Sequence, residues 1–203
     1  MGPTLLLLRH GQIRANREGR WHGSTDSPLT LRGRWQAWLT GRLLAGRCEL
    51  AKTYTSPLQR CRHTAALAAG EPEQHTVVSK LAEMSIGDWE GITFDTLRED
   101  YQLIDRLNDD LTWAPPQGES LLGVADRMSE SLEWISKQHA PDETVLVVSH
   151  GAAMALALAK LLHDDPGSWQ SYHFDNCSLT KIRLGEPNTL IDFNNSSHRR
   201  PFS

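Results

Sequence analysis

Two segments of the chain end alike. Leu5-Leu-Leu-Leu-Arg9-His10-Gly11 and Val145-Leu-Val-Val-Ser149-His150-Gly151 are continuous apolar runs, each closed by a histidine and a glycine. Such runs are too short for helices and read as strands buried on both faces. In an open α/β sheet, ligands bind in the crevice beyond the carboxyl ends of the strands. If both strands are parallel and central, His10 and His150 face one cleft. A lone strand-end histidine is more often a satisfied, half-buried residue; a pair at matching positions favours chemistry. Gly11 lets the backbone approach a ligand closely, and a helix opening at Gly151 offers free N–H groups to an anion.

Arg9 sharpens the reading. Burying an unpaired guanidinium at the end of an all-leucine strand is costly, so Arg9 needs an anion or a carboxylate. A guanidinium matches the oxygens of a phosphate two at a time. A second arginine, Arg60, lies about one helical turn beyond another short strand, in Ser56-Pro57-Leu58-Gln59-Arg60. A helical arginine is usually solvated. Its place beside a strand end, in the same layer as the histidines, argues for the cleft.

The elements that would hold these residues alternate along the chain. Strands are predicted at 4–8, 52–55, 76–79, 144–149, 178–184 and 190–193. A helix is predicted from Leu29 to Gly46, capped by Thr30, with Leu31, Trp35, Trp38 and Leu43 recurring near helical spacing as its core face. Pro57 suits the first turn of a helix through Ala65–Ala69. Residues 95–110 read as weakly helical, and Trp113-Ala-Pro-Pro-Gln-Gly118 as a loop. Leu121, Ala125, Met128, Leu132 and Ile135 mark one face of an amphipathic helix. An Ala-rich helix follows His150, and the tail after Asn194 reads as loose. The pattern predicts a three-layer α/β/α sandwich with a mostly parallel mixed sheet of about six strands.

Length and composition bound the function. The chain has 203 residues, 39% hydrophobic and 23% charged, which suits one domain over 1–203 with a full core. A net charge of −4 gives no electrostatic reason to expect nucleic acid. No run reaches the roughly 18 apolar residues of a membrane helix. Cys48, Cys61 and Cys177 form no C-x-x-C and are expected to be reduced in a cytoplasmic protein. The remaining histidines, His22, His63, His75, His139, His163, His173 and His198, lack metal-ligand spacing, so neither a metal nor another cofactor is expected. Nothing in the chain fixes its oligomeric state, and a homodimer is compatible with it.

Taken in order, the motifs resemble the histidine phosphatase superfamily. They are Arg9-His10-Gly11 with Asn16, Gly23-Ser-Thr-Asp26-Ser-Pro-Leu-Thr-Leu-Arg-Gly33, Thr55-Ser-Pro-Leu-Gln-Arg60, Leu81-Ala-Glu83 through Gly87-Asp-Trp-Glu90-Gly91, Pro116-Gln-Gly-Glu119-Ser120, Ser149-His150-Gly151 and Asn176-Cys-Ser178. The resemblance implies that His10 is the nucleophile, forming a phosphohistidine on a small phosphorylated metabolite without metal. It implies that Arg9, Arg60 and His150 surround the phosphoryl oxygens, with Asn16, His22, Gly23 and Gly151 at the rim. Glu83 would be the general acid, a role that needs a carboxyl kept protonated by burial and the nearby phosphate; Glu90 is the fallback. Residues 92–120 would cover the cleft, with Trp113 as a substrate contact.

Two residues depart from the family's pattern at the rim: Gln12, where an acid is common, and His22, where glutamine is. Residues 92–112 are net acidic rather than carrying the basic insert of the family's phosphoglycerate mutases. Asp95, Glu99, Asp100, Asp105, Asp109 and Asp110 stand there against Arg98 and Arg106. Hydrolase is therefore favoured over cofactor-dependent phosphoglycerate mutase, whose doubly anionic substrate needs positive charge. Ribazole phosphatases, sugar-phosphate phosphatases and glucosyl-phosphoglycerate phosphatases are the nearest substrate alternatives. A non-catalytic phosphohistidine- or phosphotyrosine-binding regulator is the alternative without turnover, and it would have no need of Glu83.

Overall fold

The computed structural model describes residues 2–199. Six strands, β1 (Thr4–Arg9), β2 (Lys52–Thr55), β3 (Thr76–Val77), β4 (Thr144–Ser149), β5 (Leu179–Arg183) and β6 (Thr189–Asn195), form one sheet in the order β3-β2-β4-β1-β5-β6. The pairs among β1 to β4 are parallel, and β5 and β6 add antiparallel strands at one edge. This is the mostly parallel mixed sheet predicted from the alternation of elements. The helices are α1 (Arg14–Glu18), α2 (Leu31–Ala45), α3 (Gln59–Ala69), α4 (Phe94–Glu99), α5 (Leu103–Asp109), α6 (Leu121–Lys137) and α7 (Gly151–His163).

The central strands are apolar throughout because both their faces are covered. Leu5, Leu7, Val145 and Val147 pack with Met128 and Leu132 of α6 and Leu156 of α7. Leu6, Leu8, Leu146 and Val148 pack on the other side with Ala37 and Leu44 of α2 and Cys61 and Ala65 of α3. Each fully buried leucine contributes about 1.5–3 kcal/mol. The predicted core face of α6 is buried at all five positions. Thr30 caps α2 as expected, its hydroxyl accepting from Gly33 N at 3.0 Å.

Three expectations need correction. Trp35 and Trp38 do not face the core: they are 57% and 39% exposed and stack on each other at 4.9 Å. The buried face of α2 is instead Gly33, Gln36, Ala37, Thr40 and Leu44. The reason is close approach: a Cβ at Gly33 would lie 2.2 Å from Gln12 O, and one at Gly41 2.5 Å from Leu67 O. A helix lying that near its neighbours has no room for indoles. Residues 95–110 break into α4 and α5 at Gln102, which adopts φ 51. The tail does not hang loose up to its last described residue. A turn at Ser197–Arg199 brings Arg199 back to donate to Asn176 O at 2.6 Å and Asp175 Oδ2 at 2.8 Å. Arg200 and the three residues after it lie outside the described residues.

Candidate active site

β1 and β4 pair in register, with Arg9 opposite Ser149, so the next residue of each strand arrives at the same level. The His10 and His150 rings meet edge to face, 5.2 Å between centroids. His10 is buried, and its Nδ1 lies 2.8 Å from Gly11 O. A carbonyl only accepts, so Nδ1 carries the proton and Nε2 keeps its lone pair. Burial, then the charges of Arg60 and Arg9, hold the His10 pKa well below its ordinary 6.5, against the pull of the Gly11 carbonyl. The ring is therefore neutral at neutral pH with one nitrogen open.

A cleft of about 650 Å³ lies over this nitrogen, and Arg9, Asn16, His22, Glu83 and Gly151 line it together with His10. The Arg9 Nη1 donates to Phe174 O, while its Nε is buried with no partner among the described residues. Burial lowers the pKa of Arg9, opposed by Glu83 and Asp175. Asn16 Oδ1 accepts from Ile13 N at 3.2 Å and from Asn176 Nδ2 at 3.1 Å, which leaves the Asn16 amide as a donor. Asn176 Nδ2 also donates to His10 O at 3.1 Å, tying the two segments together.

Arg60 and His150 lie together beside His10. Both are fully buried, and neither lines the cleft. Arg60 Nη1 donates to Thr25 O at 2.7 Å, and its Nη2 to Gly23 O at 2.7 Å and His22 O at 3.2 Å. Its Nε donates to His150 Nδ1 at 3.2 Å. His150 must then carry its proton on Nε2, which donates to Ser56 Oγ at 2.7 Å. A buried guanidinium requires this many acceptors. The pair forms a buried layer against the His10 ring. Burial and then Arg60 hold the His150 pKa well below 6.5.

Glu83 enters the cleft from the turn after a short helical segment, Ser79–Leu81. Its carboxylate accepts from Ala153 N at 2.8 Å and Ala152 N at 3.2 Å, in the first turn of α7, and from Met84 N at 2.9 Å. Arg127 braces this turn by donating to the carbonyls of Lys80, Ala82 and Glu83, and Glu119 holds Arg127 in turn at 2.7 Å and 2.9 Å. Glu90 has another task. Its carboxylate takes backbone and hydroxyl bonds from Ser24 and Thr25. Burial alone would raise its pKa, but those bonds outweigh burial and lower it. Glu90 is tied to the Ser24–Thr25 segment and does not line the cleft that Glu83 enters.

His22 lines the cleft, with Nδ1 3.0 Å from Ser27 Oγ, and burial followed by Arg60 lowers its pKa. Gly23 is buried beneath the rim, where its carbonyl anchors Arg60. Trp113 packs 5.8 Å from Trp89, with the Arg106 guanidinium 5.7 Å from its ring, and does not line the cleft. Within 92–120 it is Phe94 that reaches the cleft. Sequence reasoning missed Arg127 and Arg199 because both act through backbone carbonyls, which leave no spacing signature.

The profile of the histidine phosphatase superfamily (branch 1) matches residues 5–196. The chain belongs to that superfamily. Phosphoserine phosphatase 1 of Hydrogenobacter thermophilus is 32% identical, over 98% of this chain and 95% of that protein. A glucosyl-3-phosphoglycerate phosphatase of Mycolicibacterium vanbaalenii is 33% identical, over 81% and 76% of the two chains. Among solved structures, phosphoserine phosphatase from Entamoeba histolytica in complex with 3-phosphoglyceric acid superposes with a TM-score of 0.86. It is 27% identical and covers 98% of this chain and 100% of its own. This histidine phosphatase is thus an enzyme of the phosphomonoester-hydrolysing kind, and its named relatives act on small phosphorylated metabolites.

Proposed function

We propose that the enzyme hydrolyses a small phosphomonoester in two displacements through a phosphohistidine at His10. The observation that carries this reading is the state of His10: neutral, buried, Nδ1 bonded to Gly11 O, and Nε2 open to a cleft that also holds Arg9 and Glu83. In the first displacement the Nε2 lone pair forms the N–P bond as the P–O bond to the leaving group breaks. Glu83 gives its proton to the departing oxygen, so the product leaves as an alcohol. In the second, Glu83 takes a proton from water as the water oxygen bonds to phosphorus. The N–P bond then breaks, releasing inorganic phosphate and restoring His10.

Arg9, whose Nε has no partner among the described residues, and the free amide of Asn16 are the donors offered to the phosphoryl oxygens, beside the first turn of α7. Arg60 and His150 support the reaction from behind: Arg60 keeps His10 unprotonated by its charge and ties down the rim at 22–25. Electrostatic positioning of this kind supplies most of the catalysis in phosphoryl transfer. The acidic balance of 92–112 favours hydrolysis over mutase chemistry. A regulator that only binds would not need Glu83 seated in the cleft. We place the enzyme in the cytoplasm, in keeping with three unpaired cysteines.

The test uses purified protein and p-nitrophenyl phosphate in excess EDTA, with rapid alkaline denaturing quench after a radiolabelled substrate and the acid lability of the trapped label checked afterwards. Turnover should persist in EDTA, and acid-labile, base-stable label should map to His10. Loss of activity on chelation, or label on serine or aspartate, refutes the mechanism.

A further inference from the structure

The helix α2 carries large apolar residues along its most exposed line. Leu31, Trp35 and Trp38 recur at i, i+4 and i+7, with Arg42 one turn further, so all four stand on one stripe. The buried face, Gly33, Gln36, Ala37, Thr40 and Leu44, lies on the opposite side of the helix. Leu31 is 86% exposed, and Trp35 and Trp38 are the stacked, exposed pair described above. The Arg42 guanidinium lies 5.2 Å from the Trp38 ring. An apolar groove of about 460 Å³ continues the strip from Trp38 to Leu67, over Leu44, Ala68 and Ala69. Contiguous apolar surface left open in this way marks an interaction site.

Charge on the same layer is one-sided. α2 and α3 cover one face of the sheet together and contain no acidic residue. Arg32, Arg34, Arg42, Arg47 and Arg62 stand exposed on them or just past an end, in a chain of net charge −4. Among the described residues none of the five has an ion pair, whereas Arg14, Arg98 and Arg199 each hold a carboxylate. The nearest acids in sequence, Asp26, Glu49 and Glu71, lie beyond the helix ends, and Asp26 is already engaged by Gln59 N at 3.0 Å. Arginines that the fold leaves unpaired call for an anionic partner. A second copy cannot supply it here, since a two-fold contact would set arginine against arginine. A ridge with apolar side chains along its crest and arginines beside them fits a lipid interface. Indoles and leucine enter the acyl boundary there, while guanidinium groups reach anionic headgroups.

We propose that α2 docks the enzyme on an anionic lipid surface. Leu31, Trp35 and Trp38 enter the headgroup region, and Arg34 and Arg42 pair with its negative charges. No helix among the described residues is long and apolar enough to cross a membrane, so the contact is peripheral.

Co-sedimentation of the full chain with phosphatidylcholine vesicles, with and without phosphatidylserine as about a third of the lipid, tests this. Partitioning onto the anionic vesicles should exceed that onto phosphatidylcholine alone by at least about tenfold and should fall as salt is raised. R34Q/R42Q should weaken it by about 25-fold, about fivefold for each arginine. W35S/W38S, with every charge kept, should weaken it by at least about tenfold. R14Q/R98Q removes the same charge from another surface and should bind within about twofold of the wild type. The comparison of the two vesicles on the wild type needs no variant, so a misfolded variant cannot shield the proposal. Binding that is absent, or equal on the two vesicles, overturns it. So does an equal loss in R14Q/R98Q, or a loss in the arginine variant with none in the tryptophan variant. A dimer seen by sedimentation velocity without lipid and dissociated by W35S/W38S gives the ridge to a second copy, and overturns it as well.

Discussion

Acid should cost this enzyme stability through the two histidines at the centre of its site. His10 and His150 are 3% and 0% exposed, and burial first, then the Arg60 guanidinium, pushes both pKa values well below 6.5. Arg9 acts in the same direction on both rings. In the unfolded chain both titrate near about 6.5. Below that pH the unfolded state takes up protons that the folded state refuses. The stabilisation is therefore fully present above about 6.5 and is lost as pH falls toward the folded pKa values. Between about pH 7 and about pH 5.5 the integrated loss is about 1.2 kcal/mol per histidine, or about 2.5 kcal/mol for the pair, while the folded rings stay neutral. Against a total of about 5–15 kcal/mol, that lowers a urea midpoint by about 1 M. Carboxylates also contribute to the pH dependence, so the informative quantity is a difference. His10→Asn keeps an amide that can donate to Gly11 O but removes one titrating ring. Its loss between the two pH values should be smaller than that of the wild type by about 1.2 kcal/mol. Urea titrations followed by tryptophan fluorescence at both pH values measure this. Equal losses in the two proteins would mean that His10 is not held neutral, and the open Nε2 would fall with it.

Other outcomes follow from the same contacts. Glu83→Gln removes the proton donor, so turnover of alkyl phosphates should drop by about 10²–10⁴ while p-nitrophenyl phosphate, whose leaving group needs no proton, loses far less; equal losses argue against the acid role. Arg199→Ala frees the segment that Asn176 uses to hold His10 O and Asn16 Oδ1. The expected result is a fall in kcat of about tenfold with KM nearly unchanged, as for a loss of positioning; a rise in KM alone would make Arg199 a binding group instead. Trp113→Ala should destabilise by about 2–3 kcal/mol with KM within about twofold of wild type, and a large KM effect would return Trp113 to the substrate. The rate should also stay high on the acid side: the limb of kcat/KM that reports His10 should lie below its ordinary 6.5, measured with two phosphomonoesters whose own phosphate ionisations differ so that the substrate's limb is separated.

Much of this arrangement was legible in the chain. Leu5–Leu8 and Val145–Val148 announce strands covered on both sides, and a strand of that kind in a parallel sheet delivers whatever follows it to the ligand crevice. Arg9 was legible for a related reason, since a charge ending such a strand demands a partner. What stayed hidden depends on distances between backbones. Trp35 and Trp38 have the spacing of a core face, and only the approach of Gly33 to the Gln12 carbonyl shows that the buried face is the narrow one. Arg127 fixes Glu83 through three carbonyls that any residue type could supply.

The matched histidines show the limit most clearly. Both follow buried strands and both precede a glycine, and the residue before each, Arg9 or Ser149, is what differs locally. Their neighbours from distant segments separate them. Gly11 O engages one nitrogen of His10 and leaves the other open, whereas Arg60 and Ser56 engage both nitrogens of His150. Only a ring with a free lone pair can attack phosphorus, so on the mechanism proposed above the division of labour between the two x-His-Gly motifs is set by residues 56 and 60. A substitution there should act on His150 first: Ser56→Ala leaves its Nε2–H only the weak acceptor Cys61 Sγ at 3.3 Å in a fully buried site, at a cost of about 1–3 kcal/mol. Thermal unfolding of Ser56→Ala beside Ser56→Thr, which keeps the hydroxyl, reads that cost. If the two variants are equally stable, the hydroxyl is not what holds His150 away from the cleft.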